Sequence, residues 1–389
     1  MKVLIFMTQF YQSGGAEWLE MKLAEDLNRR GIHADIMSMY TEDLPGVAAA
    51  KADLLAKNIP ALHFLGMRIN PPASSLLPAI LRLRRLLREQ DYDLVETSGV
   101  SPTFIASWAT RGTRTRHVAG LHQVLRRDRD NSTAAKFLRF SARFNARSRY
   151  YAISDYAAAH WVAYSRTAPA HTRRIYNAIR DDDFLEAADR QGLRSELHLP
   201  ANARIALFVG RLAADKGIET ALDAVGPLLE RENLCLLYVG RRDLYVRGTE
   251  DMLQRMELKI RESGWSDRVR FMGFTKSIPR LMASSDVLVH PTSIEGFGLV
   301  LAEAMAAGLP IVASDVEAIP EVLAGTDSLM VPPGDPRALQ AAVLQTLGRT
   351  PEETARAIEK GRRRALDFRI DQRANAMIEL FQDVLADRF

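Results

Sequence analysis

Short runs of wholly apolar residues alternate with helix-length segments along this chain, and that alternation limits the fold more than any other feature. The first half reads Val3 to Met7, a helix from Ala16 to Arg30, Ala34 to Met39, another helix, then Ala61 to Leu65. It continues through the Leu- and Arg-rich segment Leu76 to Glu89 and the strands Leu94 to Thr97, His117 to Leu121 and Tyr150 to Ile153. Strands joined by helix-length connections predict a parallel sheet covered on both faces. The rhythm restarts at Arg204 to Gly210, with a helix from Lys216 to about Glu230. It runs on through Leu234 to Val239, Val269 to Met272, Val287 to His290, Pro310 to Ala313 and Leu329 to Val331. A chain of 389 residues exceeds what one core usually supports, so the repeat predicts two doubly wound α/β domains. The polar, Pro-containing stretch around Ala168 to Thr172 is the expected boundary. Ala374, Ile378, Phe381 and Leu385 recur at helical spacing, so the last helix needs a surface to dock on.

Composition removes several alternatives. No uninterrupted apolar run approaches the roughly 18 residues that a membrane-spanning helix needs. Met1 to Met7 is too short an apolar stretch for a signal-peptide core and reads as a buried first strand. The single cysteine, Cys235, lies inside the apolar run Leu234 to Val239, which excludes an intrachain disulfide and fits a reducing cytoplasm. Residues 1 to 170 hold 23 Lys and Arg against 15 Asp and Glu, a net +8, and the remainder hold 29 against 33, a net −4. The basic half favours an anionic partner.

Open α/β sheets bind ligands at the carboxyl ends of their strands, which selects four places. First is His290-Pro-Thr-Ser-Ile-Glu295-Gly296-Phe297-Gly298, which ends a strand and opens the helix Leu299 to Ala307. Its glycines permit close backbone approach, and the free N–H groups of a helix start suit phosphate. Glu303 lies in a helix so apolar that its carboxylate needs donors such as ribose hydroxyls. Eight positions along a helix place Glu295 and Glu303 on the order of 10 Å apart, against the roughly 5 Å of a retaining glycosidase pair, so the two suit opposite ends of one long ligand. A loop Glu on a helix cap and a buried Glu paired to Arg is the blander alternative. Second is Gly210-Arg211-Leu-Ala-Ala-Asp-Lys216-Gly217, where a guanidinium and an ammonium could reach a diphosphate and stabilise it as leaving group. Two fixed cations replace a magnesium ion, and no Asp-x-Asp cluster follows a strand, so metal independence is expected. The competing reading leaves both as solvated surface residues. Third is Gly14-Gly15-Ala16-Glu17 after the first strand, a phosphate- or sugar-facing loop or an ordinary tight turn. Fourth is His122, after the strand His117 to Leu121, facing a sugar or serving the core.

The ordered set Gly-Gly-Ala-Glu, Asn-Ala-Ile, Gly-Arg-x4-Lys-Gly and Glu-Gly-Phe-Gly with Glu eight residues on resembles glycosyltransferase family 4 nearly end to end. The resemblance implies a GT-B architecture: an α/β fold of two Rossmann-like, doubly wound parallel-sheet domains facing a central cleft. It implies an N-terminal acceptor-binding domain over 1–168, a nucleotide-sugar-binding domain over 169–368, and a terminal helix over 369–389 packed back on the N-terminal domain. It further implies retention at the anomeric carbon with no metal and no cofactor beyond the donor co-substrate. Carried across, Arg211 and Lys216 hold the donor diphosphate, Glu303 the ribose, and Glu295 with the Gly296, Phe297, Gly298 and Leu299 backbone the sugar. His122 faces the reacting centre, Gly14 and Gly15 line the cleft, and Asn177 and Gly210 sit at strand exits. The usual Asn-Gly-hydrophobic-Asp run reads Asn177-Ala178-Ile179-Arg180, with Asp181 as a substitute acid, and a customary glycine-rich turn reads Arg241-Arg242-Asp243.

The expected activity is transfer of a sugar from a UDP- or GDP-sugar to a hydroxyl of a glycan, glycolipid or small molecule, in bacterial cell-surface polysaccharide synthesis. Attack on the face from which the diphosphate departs is expected, since no carboxylate is placed behind the anomeric carbon. A nucleotide-sugar epimerase and a non-catalytic sugar-nucleotide sensor remain alternatives. Phe137, Phe140 and Phe144 beside Lys136, Arg139, Arg143 and Arg147 form either an anionic-lipid contact on the inner face of the plasma membrane or a solvated crossover helix, and Leu76 to Arg88 carries the same ambiguity. No nucleic-acid reader motif accompanies the basic residues.

Overall fold

A computed structural model describes residues 1–10, 15–69, 71–125, 133–144, 147–179, 184, 188–243, 246, 248–275 and 277–389. It divides into two compact units, Met1–Asn177 with Asp371–Phe389 and Ala178–Ile370.

The first unit is built on β1 (Lys2–Met7), β2 (His33–Tyr40), β3 (Leu62–Met67), β4 (Leu94–Ser98), β5 (Arg116–Leu121), β6 (Ser148–Ala152) and β7 (Thr172–Arg174). They form one sheet in the order β3-β2-β1-β4-β5-β6-β7, every neighbour parallel. Alternate residues of a strand point to opposite faces, and here both faces are apolar. Val3, Ile5 and Met7 join one core with Leu23 and Leu27 of the helix Gly15–Arg29, whereas Leu4 and Phe6 join another with Leu83 and Leu87 of the helix Leu76–Glu89. This two-sided cover is why the strands read as continuous apolar runs rather than alternating ones.

The second unit carries β8 (Arg204–Val209), β9 (Leu234–Val239), β10 (Val269–Gly273), β11 (Val287–His290), β12 (Ile311–Ser314) and β13 (Leu329–Val331), ordered β10-β9-β8-β11-β12-β13 and again all parallel. Cys235 is fully buried in β9. The expected helix from Lys216 to Glu230 is shorter, Ile218–Val225 followed by a single tight turn at Gly226–Leu228.

Two details differ from the sequence reading. The expected break at residue 168 falls early, because Thr172–Arg174 pairs with β6 and so extends the first sheet. The final helix, Ile370–Leu385, lies in the first unit but docks through Met377, Leu380, Phe381 and Val384 on the face holding Val3 and Ile5. Ile378 and Leu385, taken as members of the stripe, flank it and are only half-buried. Replacing Phe381 by alanine should destabilise the first unit by about 3–5 kcal/mol, the cost of a large side chain removed from a close-packed site. The check is the urea midpoint of that unit's unfolding transition; a midpoint equal to wild type would show that the helix is not part of this core.

Candidate functional site

In each sheet the strand order reverses at one point, between β1 and β4 and between β8 and β11. Connections leave in opposite directions there, so a crevice opens at the strand ends.

In the second unit the loops leaving β8 and β11 are stitched together. The Asp215 carbonyl accepts from the Thr292 hydroxyl at 3.1 Å and from the Ser293 N–H and hydroxyl at 3.0 Å each. Gly217 has φ +68°, and a Cβ there would stand 2.0 Å from the Pro291 carbonyl oxygen, so only glycine fits. Gly240 is similarly required: its Cβ would lie 1.7 Å from the Gly210 oxygen, which brings the turn after β9 against the turn after β8. Gly298, at φ +86°, starts the helix Leu299–Ala307, and its carbonyl accepts from the Leu301 N–H at 2.9 Å.

This frame sets Lys216 Nζ 2.9 Å from Glu295 Oε2 and 3.4 Å from the Ile294 carbonyl. His290 Nε2 lies 3.5 Å from the same carboxylate oxygen, at the edge of hydrogen-bond reach. Burial would raise the Glu295 carboxyl, but His290 and Lys216 outweigh it and hold the group down to about 2. Glu303 is the opposite case. Among the described residues it has neither a hydrogen bond nor an ion pair, and burial pushes its carboxyl up to about 7.

Arg211 donates to Asp243 Oδ2 at 2.5 Å and to Asp215 Oδ2 at 3.2 Å, with half its side chain exposed. The departure Arg241-Arg242-Asp243 thus supplies a carboxylate for Arg211. Its two arginines are engaged elsewhere, Arg241 over the Phe274 ring at 4.5 Å and Arg242 with Glu257 at 2.6 Å. Guanidinium has five donors and ammonium three, so both cations retain N–H groups for a further anion. Phe297 turns away into the core, edge-on to Phe368 at 5.2 Å.

In the first unit a cavity of about 210 Å³ occupies the reversal point, with Thr8, Glu17, Ser98, Thr103, His122 and Gln123 among its polar lining. Gly15 begins the helix Gly15–Arg29 but is not part of this lining, which takes Ala16 and Glu17 instead. Gly14, Arg180 and Asp181 lie outside the described residues. Asn177 is buried with its side-chain oxygen unpartnered, and Ala178 is accommodated in a fully packed position beside Ile179, whose N–H donates to the Phe368 carbonyl at 2.8 Å.

A second depression, of about 430 Å³, is lined by Lys136, Arg139, Phe140, Arg143, Tyr164 and Arg166. Phe137 and Phe140 are exposed on the same helix, Thr133–Phe144, and among the described residues no carboxylate lines the depression. The side chain of Phe144 lies outside the described residues. The sequence reading singled out neither the Asp215 and Asp243 partners of Arg211 nor the buried groups Glu20, Glu96, Tyr151 and Arg373 behind His122.

The chain matches the family model "Glycosyltransferase Family 4" over residues 13–183 and "Glycosyl transferases group 1" over residues 203–349. An uncharacterised glycosyltransferase of Methanocaldococcus jannaschii is 34% identical over 154 residues, 38% of this chain and 37% of that relative's length. A phosphatidyl-myo-inositol mannosyltransferase of Mycobacterium leprae is 28% identical over 345 residues, covering 86% of this chain and 84% of the relative. The crystal structure of HepE from Anabaena in complex with UDP superposes with a TM-score of 0.83 at 24% identity, covering 98% of this chain and all of that one, which shows a shared GT-B fold.

The partly buried acid Glu303 has a pH signature. Its folded value of about 7 lies above the unfolded value near 4.5, so the folded state holds the proton longer. The resulting penalty is absent below the unfolded value, grows as pH rises between the two, and is complete above the folded one. Glu303→Gln should therefore melt with wild type at about pH 4 and above it at about pH 8; a Tm difference independent of pH would refute the assignment.

Proposed function

The chain belongs to glycosyltransferase family 4, and from that premise we propose that it transfers a sugar from a nucleoside diphosphate donor to an acceptor hydroxyl, with retention at the anomeric carbon. The observation that carries this reading is the convergence, at the strand-order reversal of the second unit, of the turn after β8 that bears Arg211 and Lys216 with the loop after β11 that opens the helix Leu299–Ala307, Lys216 pairing with Glu295 of that loop. A diphosphate there would meet spare guanidinium and ammonium N–H groups and the positive end of a helix.

Each residue's role follows from its environment. Arg211 and Lys216 bind the diphosphate and stabilise it as it leaves. Glu295, kept ionised, holds the Lys216 ammonium in place and accepts from the sugar hydroxyls. Glu303, the unpartnered carboxyl, accepts from the ribose. The cavity of the first unit, polar but lined by no Lys or Arg among the described residues, takes a neutral hydroxyl-bearing group against His122. Exclusion of water then lets transfer outrun hydrolysis. Attack proceeds on the face the diphosphate leaves, through an oxocarbenium-like state.

A UDP- or GDP-sugar is the proposed donor; the Anabaena protein was crystallised with UDP and glucose, and the M. leprae relative is named a mannosyltransferase. Glycolipid or polysaccharide synthesis is the proposed setting. Independence from metal is proposed because two cations, Arg211 and Lys216, would face the diphosphate. Full turnover in EDTA is the expected result.

Among the described residues no helix is long and apolar enough to cross a membrane. We assign the basic depression with exposed Phe137 and Phe140 to peripheral contact with anionic lipid, each cation near such a surface contributing about 1 kcal/mol. Vesicles of phosphatidylglycerol should retain the protein at low salt and release it at high salt, and Arg139→Glu with Arg143→Glu should abolish retention; binding of the double variant at wild-type level refutes the lipid contact.

Arg211→Ala with Lys216→Ala should weaken nucleotide-sugar binding by about 10- to 100-fold per residue, since each charge-assisted contact contributes about 1.5–3 kcal/mol. Calorimetry against UDP- and GDP-sugars reads the affinity, and NMR of the product's anomeric proton reads the stereochemistry. Unchanged affinity would remove the donor site, an inverted product would remove retention, and donor converted without any acceptor would favour an epimerase.

A further inference from the structure

Behind the first unit's cavity lies a cluster of ionisable side chains that the transfer reading leaves unused. Glu20 of the helix Gly15–Arg29, Glu96 of β4 and Tyr151 of β6 are fully buried, and Arg373 of the terminal helix is nearly so. One carboxylate oxygen, Glu20 Oε1, stands 2.8 Å from an Arg373 terminal nitrogen, 3.1 Å from the Tyr151 hydroxyl and 3.0 Å from His122 Nε2. Buried charge survives only when paired, and Arg373 provides the pairing from the far end of the chain. Burial would raise the Glu20 carboxyl, but Arg373 and the His122 contact hold it at about 2, an ionised acceptor. Glu96 is pushed well above the usual carboxylate range by burial and by the Glu20 charge, so it keeps its proton. The Tyr151 hydroxyl, with one hydrogen to give, stands 2.9 Å from Glu96 Oε1, 3.1 Å from Glu20 Oε1 and 3.3 Å from His122 Nε2.

An ionised carboxylate only accepts, so the His122 nitrogen facing Glu20 carries its hydrogen. The ring plane is fixed as well, edge-on to Tyr151 at 5.8 Å and 90°. Gly120 makes room for this arrangement, since a Cβ there would sit 2.4 Å from the Tyr151 hydroxyl and 2.9 Å from His122 Nε2. What remains is His122 Nδ1, buried and, among the described residues, without a partner, on a residue that lines the cavity.

We propose that Glu20, held by Arg373, is a positioning residue that locks His122 as the Nε2–H tautomer and leaves Nδ1 as a hydrogen-bond acceptor for a ligand hydroxyl in the cavity. Arg373 acts one step further back, and the Tyr151 hydroxyl is the third group facing Glu20 Oε1. The identity of that ligand rests on the transfer reading above; the tautomer does not.

The test uses the full chain labelled with ¹⁵N-histidine, at about pH 9 where an ordinary imidazole, titrating near 6.5, is neutral, with His122 assigned by its loss in His122→Gln. Wild type should show one tautomer, protonated at Nε2. Glu20→Leu with Arg373→Met removes both charges as an apolar pair, an exchange that buried ion pairs commonly tolerate, and should leave His122 in both tautomers. In that variant kcat should fall about tenfold, the effect of one hydrogen bond, with donor affinity in the second unit unchanged. Arg373→Lys keeps the cation and should preserve both tautomer and kcat. A wild-type Nδ1–H signal, or a double variant that retains a single Nε2–H form, overturns the proposal. The spectra need no substrate, so failure to find transfer would count against the transfer reading alone.

Discussion

The contact between the Lys216 ammonium and the Glu295 carboxylate, 2.9 Å apart across 79 positions of sequence, is the interaction on which the second unit's crevice depends. It fixes a cation and an anion at the mouth of two adjacent parallel strands without filling the space between. A pair that is mostly but not wholly withdrawn from water gains more than an exposed one and escapes the full desolvation cost of the interior. The backbone around it leaves little freedom, because Gly217 meets the Pro291 carbonyl and the Asp215 carbonyl collects three donors from Thr292 and Ser293. The geometry is therefore present before any ligand arrives, and preorganisation of this sort lowers the ordering cost of binding.

The two units treat buried carboxylates in contrasting ways. Glu20 Oε1 faces three donors and the group is held ionised, whereas Glu303 meets none among the described residues and is driven towards neutrality. A buried, mutually paired ionic cluster rigidifies what it touches, which suits a group acting through His122. An unsatisfied carboxyl carries a standing cost that a hydroxyl-bearing ligand relieves, which suits a contact made only on binding. Both patterns follow from what packs around each side chain, not from the residue type.

Much of the architecture was legible because both sheets are covered on two faces. Leu234–Val239, Val287–His290, Leu76–Glu89 and Leu299–Ala307 begin and end where the apolar runs and glycines place them. The strand β7 was not legible, since Thr172–Arg174 is polar and lies at a sheet edge. The docking stripe of the last helix was displaced because Arg373 belongs to the buried face, and an apolar periodicity count cannot include a buried arginine. Glu20 carried a readable signal: it lies among Leu19, Leu23, Ala24 and Leu27 in the inward face of its helix, where a carboxylate requires a partner. The partner, 353 residues away, is not recoverable from spacing.

The Arg211 environment shows how a departure in one turn alters another. A glycine-rich turn after β9 would leave the guanidinium without a carboxylate from that side; Asp243 instead draws it to 2.5 Å while Asp215 holds its other end. Arg211 and Lys216 are thus each paired with carboxylates, and a diphosphate bound as proposed would compete with them. Since guanidinium is weakly hydrated and can bridge two anions through its fork, the competition is resolved by sharing rather than release, and the half-exposed side chain has a face free to do so. In the proposed reading, the attraction of such a site for polyanions in general would be muted, and selectivity would rest on the neutral part of the ligand: hydroxyls for Glu295 and Glu303, and the close backbone approach that Gly210 and Gly298 permit.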